Sequence, residues 1–507
     1  MRSGMIKSFI CMLACLFFTV ANAQTSNLLP ALPIKYGMAT LSGKITGNMP
    51  DGRKVTELEM MINRPVFDFV AYKIPIKDDG SFSLSIPVFV VNGCIIRSPL
   101  FQGNLYMVPG EETKLEINFD ERGESHVTVN GSLNITAYDT MNMGPALSAI
   151  LMNKPDNPDK DCNMPHDAYA KSAKELTTYL LEEVKKDAKL SDNAKTIVAY
   201  EMKAFLSDVL FLEYEDNMHL RYRGLHADTP ESERPEFKPQ KPGIDYYAVF
   251  QYMNFNDPLY FYSSYFQIFI QKLLKDATLN IQPIEELAPE EWLTRIKGAL
   301  KIITGTDSGL FYDMVVAGIY AKQLNAMNPL TEKQKKNAEG YFKDRAFVEM
   351  LLAENDKVVK IIESRDKSSG LVINKTPAVA KEELMDIIVA KYKDKVVFVD
   401  FWATWCGPCL MAMKQAELVK SELKDKGVVF VYITNPSSVR STWEEKIPEI
   451  GGEHYYITDE EWGAILEQFD FEAIPTYLIF DKNGKLKRKS ISFMGTQNMK
   501  AWIEELF

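Results

Sequence analysis

The chain has 507 residues, of which 46% are hydrophobic and 25% charged. That is the composition of an ordinary folded protein and excludes collagen-like, mucin-like and disordered classes; the length argues for roughly three domains of about 150 residues. A formal net charge of −11 argues against nucleic-acid binding, which needs a basic face, and is compatible with a dissolved protein that avoids anionic membranes.

The first residues have the pattern of an export signal. Arg2 and Lys7 precede an apolar run from Ser8 to Val20, too short to span a bilayer, and Ala21-Asn22-Ala23 is a small-residue cleavage site. Residues 1–23 are expected to be a cleaved signal peptide, and the protein is expected in the periplasm. The alternative is a lipoprotein signal with Cys15 as the lipidated residue. Phe17, Phe18 and Val20 continue the apolar run past Cys15 and favour the first reading. No later stretch reaches about 18 apolar residues, the length of a spanning helix.

Residues 24–132 are expected to form a β-rich accessory domain. Phe82, Leu84 and Ile86 alternate after the Asp79-Gly80 turn, and Leu115, Ile117 and Phe119 alternate after Pro109-Gly110. Short period-2 runs separated by Gly, Pro, Asn and Asp predict a small antiparallel β sandwich or barrel, the sandwich being the leading reading. Residues 133–370 are expected to be all-α. One helix starts at Asp167-Ala168-Tyr169, and later ones cover Ile197–Tyr214, Tyr262–Leu274, Pro289–Ile303 and Phe311–Leu324. The aromatic-rich stretch from Tyr246 to Phe266 is expected to pack in the core rather than to line a groove.

Residues 371–507 alternate β and α. Val396 to Phe401 reads as a buried strand broken only by Asp400, Cys406 to Glu422 as a helix, and Val428 to Thr434 as a second strand. Tyr477 to Phe480 is a third strand, with a turn at Asp481-Lys482-Asn483-Gly484 and a closing helix from Met499 to Phe507. The result is an α/β sheet with a reactive loop at a strand's carboxyl end.

The cysteines carry the chemistry. Cys11 and Cys15 leave with the signal, and four then remain, too few for a disulfide scaffold in so long a chain. Cys94 and Cys162 are expected to be free thiols, a disulfide joining the first two domains being the alternative. Cys406 and Cys409 form a Cys-Gly-Pro-Cys motif at a helix start. The thiolate is the nucleophile in disulfide exchange, and a helix N-terminus favours its charge. Cys406 is thus expected to attack, while Cys409, one turn further in, resolves the mixed disulfide. Pro408 suits the first helical turn. A buried carboxylate is costly without a role, so Asp400 is expected to have a raised pKa and to take the proton from Cys409. Ile474-Pro475 is a candidate cis peptide, with the Ile474 backbone placed to pair with a substrate strand. Zinc normally needs four ligands. No second Cys-x-x-Cys supplies them, and His454 is the sole histidine of the region. No metal and no cofactor are expected.

The segment Val399-Asp400-Phe401-Trp402-Ala403-Thr404-Trp405-Cys406-Gly407-Pro408-Cys409, with the later Ile474-Pro475-Thr476 and Gly495, resembles thioredoxins, and more narrowly the TlpA/ResA-like envelope thiol–disulfide oxidoreductases. The resemblance implies a thioredoxin fold, Cys406 as nucleophile, Cys409 as resolving thiol, Pro475 as the cis-proline and Asp400 as the buried acid. Many TlpA-like proteins carry Glu in this region, a mild departure. Trp405, Gly407, Pro408 and Ile474 are the expected substrate-binding positions. The stretch between Val428 and Pro475 is roughly twenty-five residues longer than a minimal thioredoxin needs, as in the βα insertion of the TlpA-like group. The leading function is a protein-disulfide reductase with protein thiol and disulfide substrates and an inner-membrane electron donor. A disulfide oxidase or isomerase on the same site is the alternative, and an adaptor with a redox-sensing domain is a third reading.

Overall fold

In a computed structural model of the chain, the described residues are 29, 33–47, 54–64, 69–98, 101–120, 122, 124–152, 161–230, 233–364, 371–423 and 426–507. The expected signal, its cleavage site and Cys15 lie outside them.

Eight strands come first: β1 (Tyr36–Thr46), β2 (Glu57–Asn63), β3 (Phe69–Pro75), β4 (Ser81–Phe89), β5 (Asn92–Ser98), β6 (Phe101–Met107), β7 (Glu112–Phe119) and β8 (Ser125–Asn130). They form two four-stranded sheets, ordered β4-β1-β7-β8 and β3-β2-β5-β6. Leu41 and Leu115 from one sheet and Leu58, Met60 and Ile96 from the other are buried in one shared apolar core. In β7 the alternation is strict, with Thr113, Leu115, Ile117 and Phe119 buried between exposed polar residues. The pairing departs from wholly antiparallel at one place, where β1 and β7 run parallel. The five strands between them provide the long return that a parallel pair requires.

The helical part holds α1 (Ala137–Met152), α2 (His166–Lys186), α3 (Asp192–Leu206), α4 (Tyr214–Leu225), α5 (Ser264–Leu273), α6 (Pro289–Thr304), α7 (Leu310–Asn325), α8 (Glu332–Tyr341) and α9 (Arg345–Ser364). The aromatic stretch is core: Tyr246, Tyr247, Phe250, Tyr260, Phe261, Tyr262 and Phe266 are all buried. It is wound as two 3₁₀ segments, Ile244–Met253 and Pro258–Tyr262, rather than as α-helix. Asn254, with φ of 52°, ends the first, and Pro258 opens the second. Cys94 and Cys162 are separate buried thiols, with the Cys94 pKa pushed up to about 12 by burial.

The C-terminal part is one six-stranded sheet, ordered β14-β13-β10-β11-β12-β9. Its strands are β9 (Leu371–Asn374), β10 (Val396–Phe401), β11 (Val428–Thr434), β12 (Gly452–Tyr456), β13 (Thr476–Phe480) and β14 (Leu486–Ser490). One face is covered by α10 (Leu384–Ala390) and α13 (Asp459–Phe469), which pack Leu384, Ile388 and Ile465 against Val397, Val399 and Phe401. The other is covered by α11 (Gly407–Leu423), α12 (Arg440–Ile450) and α14 (Thr496–Glu504), whose Cys409, Trp443, Ile447 and Ile503 meet Val396 and Phe398. Val396, Val397, Val428, Val429 and Val431 make this a β-branched, doubly buried parallel centre.

The three parts are in contact. Helix α9 packs on β1 and β4, and α12 packs on α7 and α9. Arg64, just beyond β2, donates to Glu354 of α9 at 2.6 Å, with both side chains largely buried. Arg64→Ala leaves that carboxylate buried without its counter-charge. It should lower stability by about 2 kcal/mol, below the figure for fully buried pairs because some solvent reaches this one. Urea denaturation checks this; an unchanged midpoint would show that the pair contributes nothing.

Candidate active site

Strand β10 ends at Phe401, and the chain then makes a short loop into α11. The Trp402 N–H donates to Ile433 O at 3.1 Å, which prolongs the β10–β11 pairing by one step. The Thr404 N–H donates to Ser438 Oγ at 2.9 Å, and the Trp405 indole donates to Ser437 Oγ at 3.2 Å. The loop is thus pinned to the turn that follows β11. Cys406 occupies the N-cap position of α11. Its carbonyl accepts the first helical bond, from Leu410 N at 3.1 Å, and its Sγ accepts the Cys409 N–H at 3.2 Å. A negative sulfur at this point meets the unpaired N–H groups of the first turn.

Cys406 and Cys409 are joined as a disulfide with Cα atoms 5.3 Å apart. Cys406 is 4% exposed and Cys409 is 0% exposed, while Trp405, Gly407 and Pro408 are open to solvent. Of the two, Cys406 is the one that keeps some exposed surface. The antiparallel register of β10 with β13 sets Phe401 opposite Thr476, so Pro475 falls opposite the start of the redox loop. Ile474–Pro475 is a cis peptide, with Pro475 buried and Ile474 half-buried. Trp405, Cys406, Gly407, Pro408 and Cys409 thus share one loop and helix start. Ile474 and Pro475 flank it on the neighbouring strand.

Asp400 is 3% exposed. Alternation along β10 places it with Val396, Phe398 and Trp402, on the face that α11 and Cys409 cover. Its cross-strand neighbours are Tyr432 and Tyr477. Among the described residues its Oδ1 has no hydrogen-bond partner. Burial raises its pKa well above the usual carboxylate range, against a smaller opposing pull from Lys420.

Lys420 is the residue that sequence reasoning missed. It lies on α11 within the inward series Cys409, Ala412, Ala416, Val419 and Leu423. Its ammonium donates to Ile450 O at 2.6 Å and sits 4.8 Å from the centre of the Tyr432 ring. Burial lowers its pKa to about 8, although Asp400 pulls the other way. His454 stacks on Tyr432 at 4.9 Å and is held neutral by burial, its pKa down to about 3. A lysine interrupting the apolar stripe of an inward helix face was the available signal.

A dithiol at a helix N-cap, with a proline strand beside it and an acid beneath, defines a thioredoxin-type thiol–disulfide oxidoreductase domain. Residues 373–503 match the Redoxin family model. The chain is 26% identical over 118 residues to the thiol-disulfide oxidoreductase ResA of Geobacillus kaustophilus, covering 23% of this chain and 67% of that one. A second ResA, from Geobacillus thermodenitrificans, is 27% identical over 115 residues, and only 65% of its length is covered. The match to thioredoxin of Rickettsia prowazekii is 27% identical over 135 residues, 27% of this chain and 98% of the relative. Among solved structures, the thioredoxin domain of a Bacteroides vulgatus thiol-disulfide oxidoreductase is 19% identical, with a TM-score of 0.21, covering 23% of this chain and 81% of that one. The C-terminal part is a Redoxin domain of the TlpA/ResA thioredoxin-like type.

The raised Asp400 pKa has a consequence for stability. The folded state keeps the proton over a range where the unfolded chain has lost it, so stability is full below the unfolded pKa. It declines as pH rises towards the folded pKa. Asp400→Asn should therefore raise the unfolding midpoint at pH 7, and the gain should fade towards about pH 4, the ordinary carboxylate range. Thermal unfolding at the two pH values measures it; an equal gain at both would mean that the carboxyl is not protonated by burial.

Proposed function

We propose that the chain is a periplasmic protein-disulfide reductase in which Cys406 attacks and Cys409 resolves. The observation that carries this is the N-cap placement of Cys406, with Cys409 fully buried behind it. The Cys406 thiolate attacks one sulfur of a substrate disulfide. A mixed disulfide forms and the first substrate thiolate leaves. Asp400, in its ionised form, takes the proton of Cys409. The Cys409 thiolate attacks Cys406 Sγ, breaking its bond to the second substrate sulfur, which leaves as a thiolate and is protonated by water. Two electrons have then passed to the substrate, and Cys406 and Cys409 are left oxidised. A dithiol donor at the inner membrane restores them, because the compartment itself is oxidising. The backbone of Ile474 beside cis-Pro475 pairs with the substrate strand, and Trp405, Gly407 and Pro408 supply the exposed contact around the sulfur. Residues 1–23 are the cleaved signal. Residues 24–132 form a β-sandwich accessory domain, 133–370 a helical one and 371–507 the redox domain. The extracytoplasmic setting is supported by the sequence of the leader.

Two experiments test the order and the direction of transfer. Cys406→Ser should abolish exchange, whereas Cys409→Ser should still attack and accumulate mixed disulfides with envelope proteins, seen as species that dissolve on reduction. Trapping by Cys406→Ser alone would reverse the assignment. The direction follows from the Gly407-Pro408 pair and from the absence of a histidine between the cysteines, which leave the Cys406 thiolate only moderately stabilised. Equilibration against a dithiol buffer should give a reducing potential, far below the value of about −120 mV that marks a strong oxidant. A potential near that value would turn the enzyme into an oxidase with the same exchange chemistry.

A further inference from the structure

Where the helical and redox parts meet, the described residues enclose a cleft of about 520 Å³, within the usual size of a ligand site. One wall is formed by Leu274, Lys275 and the last turns of α7, with Lys322. The facing wall is the turn after β11 and the start of α12, with Pro436, Val439 and Arg440.

The charge of this cleft is unbalanced. Arg440 is answered by Glu444 at 2.7 Å. Among the described residues no carboxylate lies within ion-pair distance of Lys275 or Lys322, while Lys272, one turn before Lys275, takes both Asp208 and Glu213. Lys322 donates to Leu274 O at 3.0 Å, and its pKa is lowered by burial and by the charge of Lys275. Two like charges thus face one opening in a chain whose net charge is −11. Leu274, Pro436 and Val439 give the same opening an apolar lining.

The cleft is also built from the segment that holds the redox loop. Pro436 and Val439 line it, while Ser437 and Ser438 between them accept the Trp405 indole and the Thr404 N–H. Tyr456 of the cleft donates to Ser438 O at 2.6 Å. The redox loop and the cleft thus share one segment, Pro436 to Val439.

We propose that this cleft receives an acidic segment of the protein substrate whose disulfide is presented to Cys406. Its carboxylates pair with Lys275 and Lys322, and its apolar neighbours rest on Leu274, Pro436 and Val439. The proposal rests on the disulfide-exchange reading of Cys406 and adds a substrate preference to it. If the lysines served only to complement the C-terminal ends of α5 and α7, substrate charge would not matter.

The test uses the full chain and two synthetic peptides, each with one internal disulfide, alike except for a flank bearing two Glu or two Lys. A small neutral disulfide serves as the reference substrate. The acidic peptide should be reduced with a kcat/KM about tenfold higher than the basic one at low salt, the effect lying mainly in KM and fading as salt rises. Combining Lys275→Glu with Lys322→Gln, which keeps a donor for Leu274 O, should remove about fivefold or more of that advantage and leave the rate on the small disulfide unchanged. Equal rates on the two peptides, or a preference that survives the double variant, would overturn the proposal. Calorimetry with the acidic peptide, both cysteines replaced by serine, separates this from the redox reading. Saturable binding lost in the double variant supports the cleft even where no disulfide is reduced, and no binding to the unaltered chain defeats it. Succinate binding as tightly as the peptide would reassign the cleft to free carboxylates and defeat it as well.

Discussion

Six consecutive residues of β10 have no side open to water. Val397, Val399 and Phe401 face one apolar layer, and Val396, Phe398 and Trp402 face the other. A strand filled on both faces cannot slip by one residue without exchanging every side chain between layers. That constraint fixes where the chain emerges after Phe401, and therefore where Cys406 meets the start of α11. It fixes β13 too, whose register with β10 brings Pro475 to the same edge. The chemistry is thus placed by packing several residues away from it, and the sulfur atoms themselves need few restraints beyond the Ser437 and Ser438 hydroxyls.

The same strand carries the one residue that violates its pattern. Asp400 sits between Tyr432 and Tyr477 in a layer otherwise lined by aromatic and aliphatic groups. An ionised carboxylate there lacks solvation, so the proton is held more tightly. Lys420 is close enough to pull the other way, yet its hydrogen bond goes to Ile450 O rather than to the carboxylate. The two groups influence one another through a poorly screened medium without forming a salt bridge. Each is driven towards its neutral form by burial, Lys420 downward and Asp400 upward. This is the arrangement in which a proton can be taken up or released near neutral pH, and a direct ion pair would have suppressed it.

Much of the redox part was legible because its signals were local and dense. The limits of β11 follow from its apolar run, and the Cys-Gly-Pro-Cys spacing identifies the helix start. The partners of that helix were less visible. Lys420 stands eleven residues past Cys409, and in the sequence its inward direction shows only as a lysine set among Ala416, Val419 and Leu423. The parallel pairing of β1 with β7 depends on which strands meet after a long excursion, which alternation within each strand does not encode. The Tyr246–Phe266 stretch was rightly read as core, but its 3₁₀ winding is set by Asn254 and Pro258 against a strong apolar pattern.

Helix α12, between β11 and β12, holds the redox part to the rest of the chain. Helix α12 buries Trp443 and Ile447, four residues apart, in the redox core. Ser441 and Glu445, also four apart, face the helical part: Ser441 reaches Asn325 at 3.5 Å and Glu445 pairs with Lys357 at 2.5 Å. One helix therefore belongs to two packing layers. Docking through α12 leaves the redox loop and the outer face of α11 open to solvent, with Trp405 54%, Met411 62% and Leu418 77% exposed. The redox loop can thus be anchored from behind through Ser437 and Ser438 while its front stays open to a second protein.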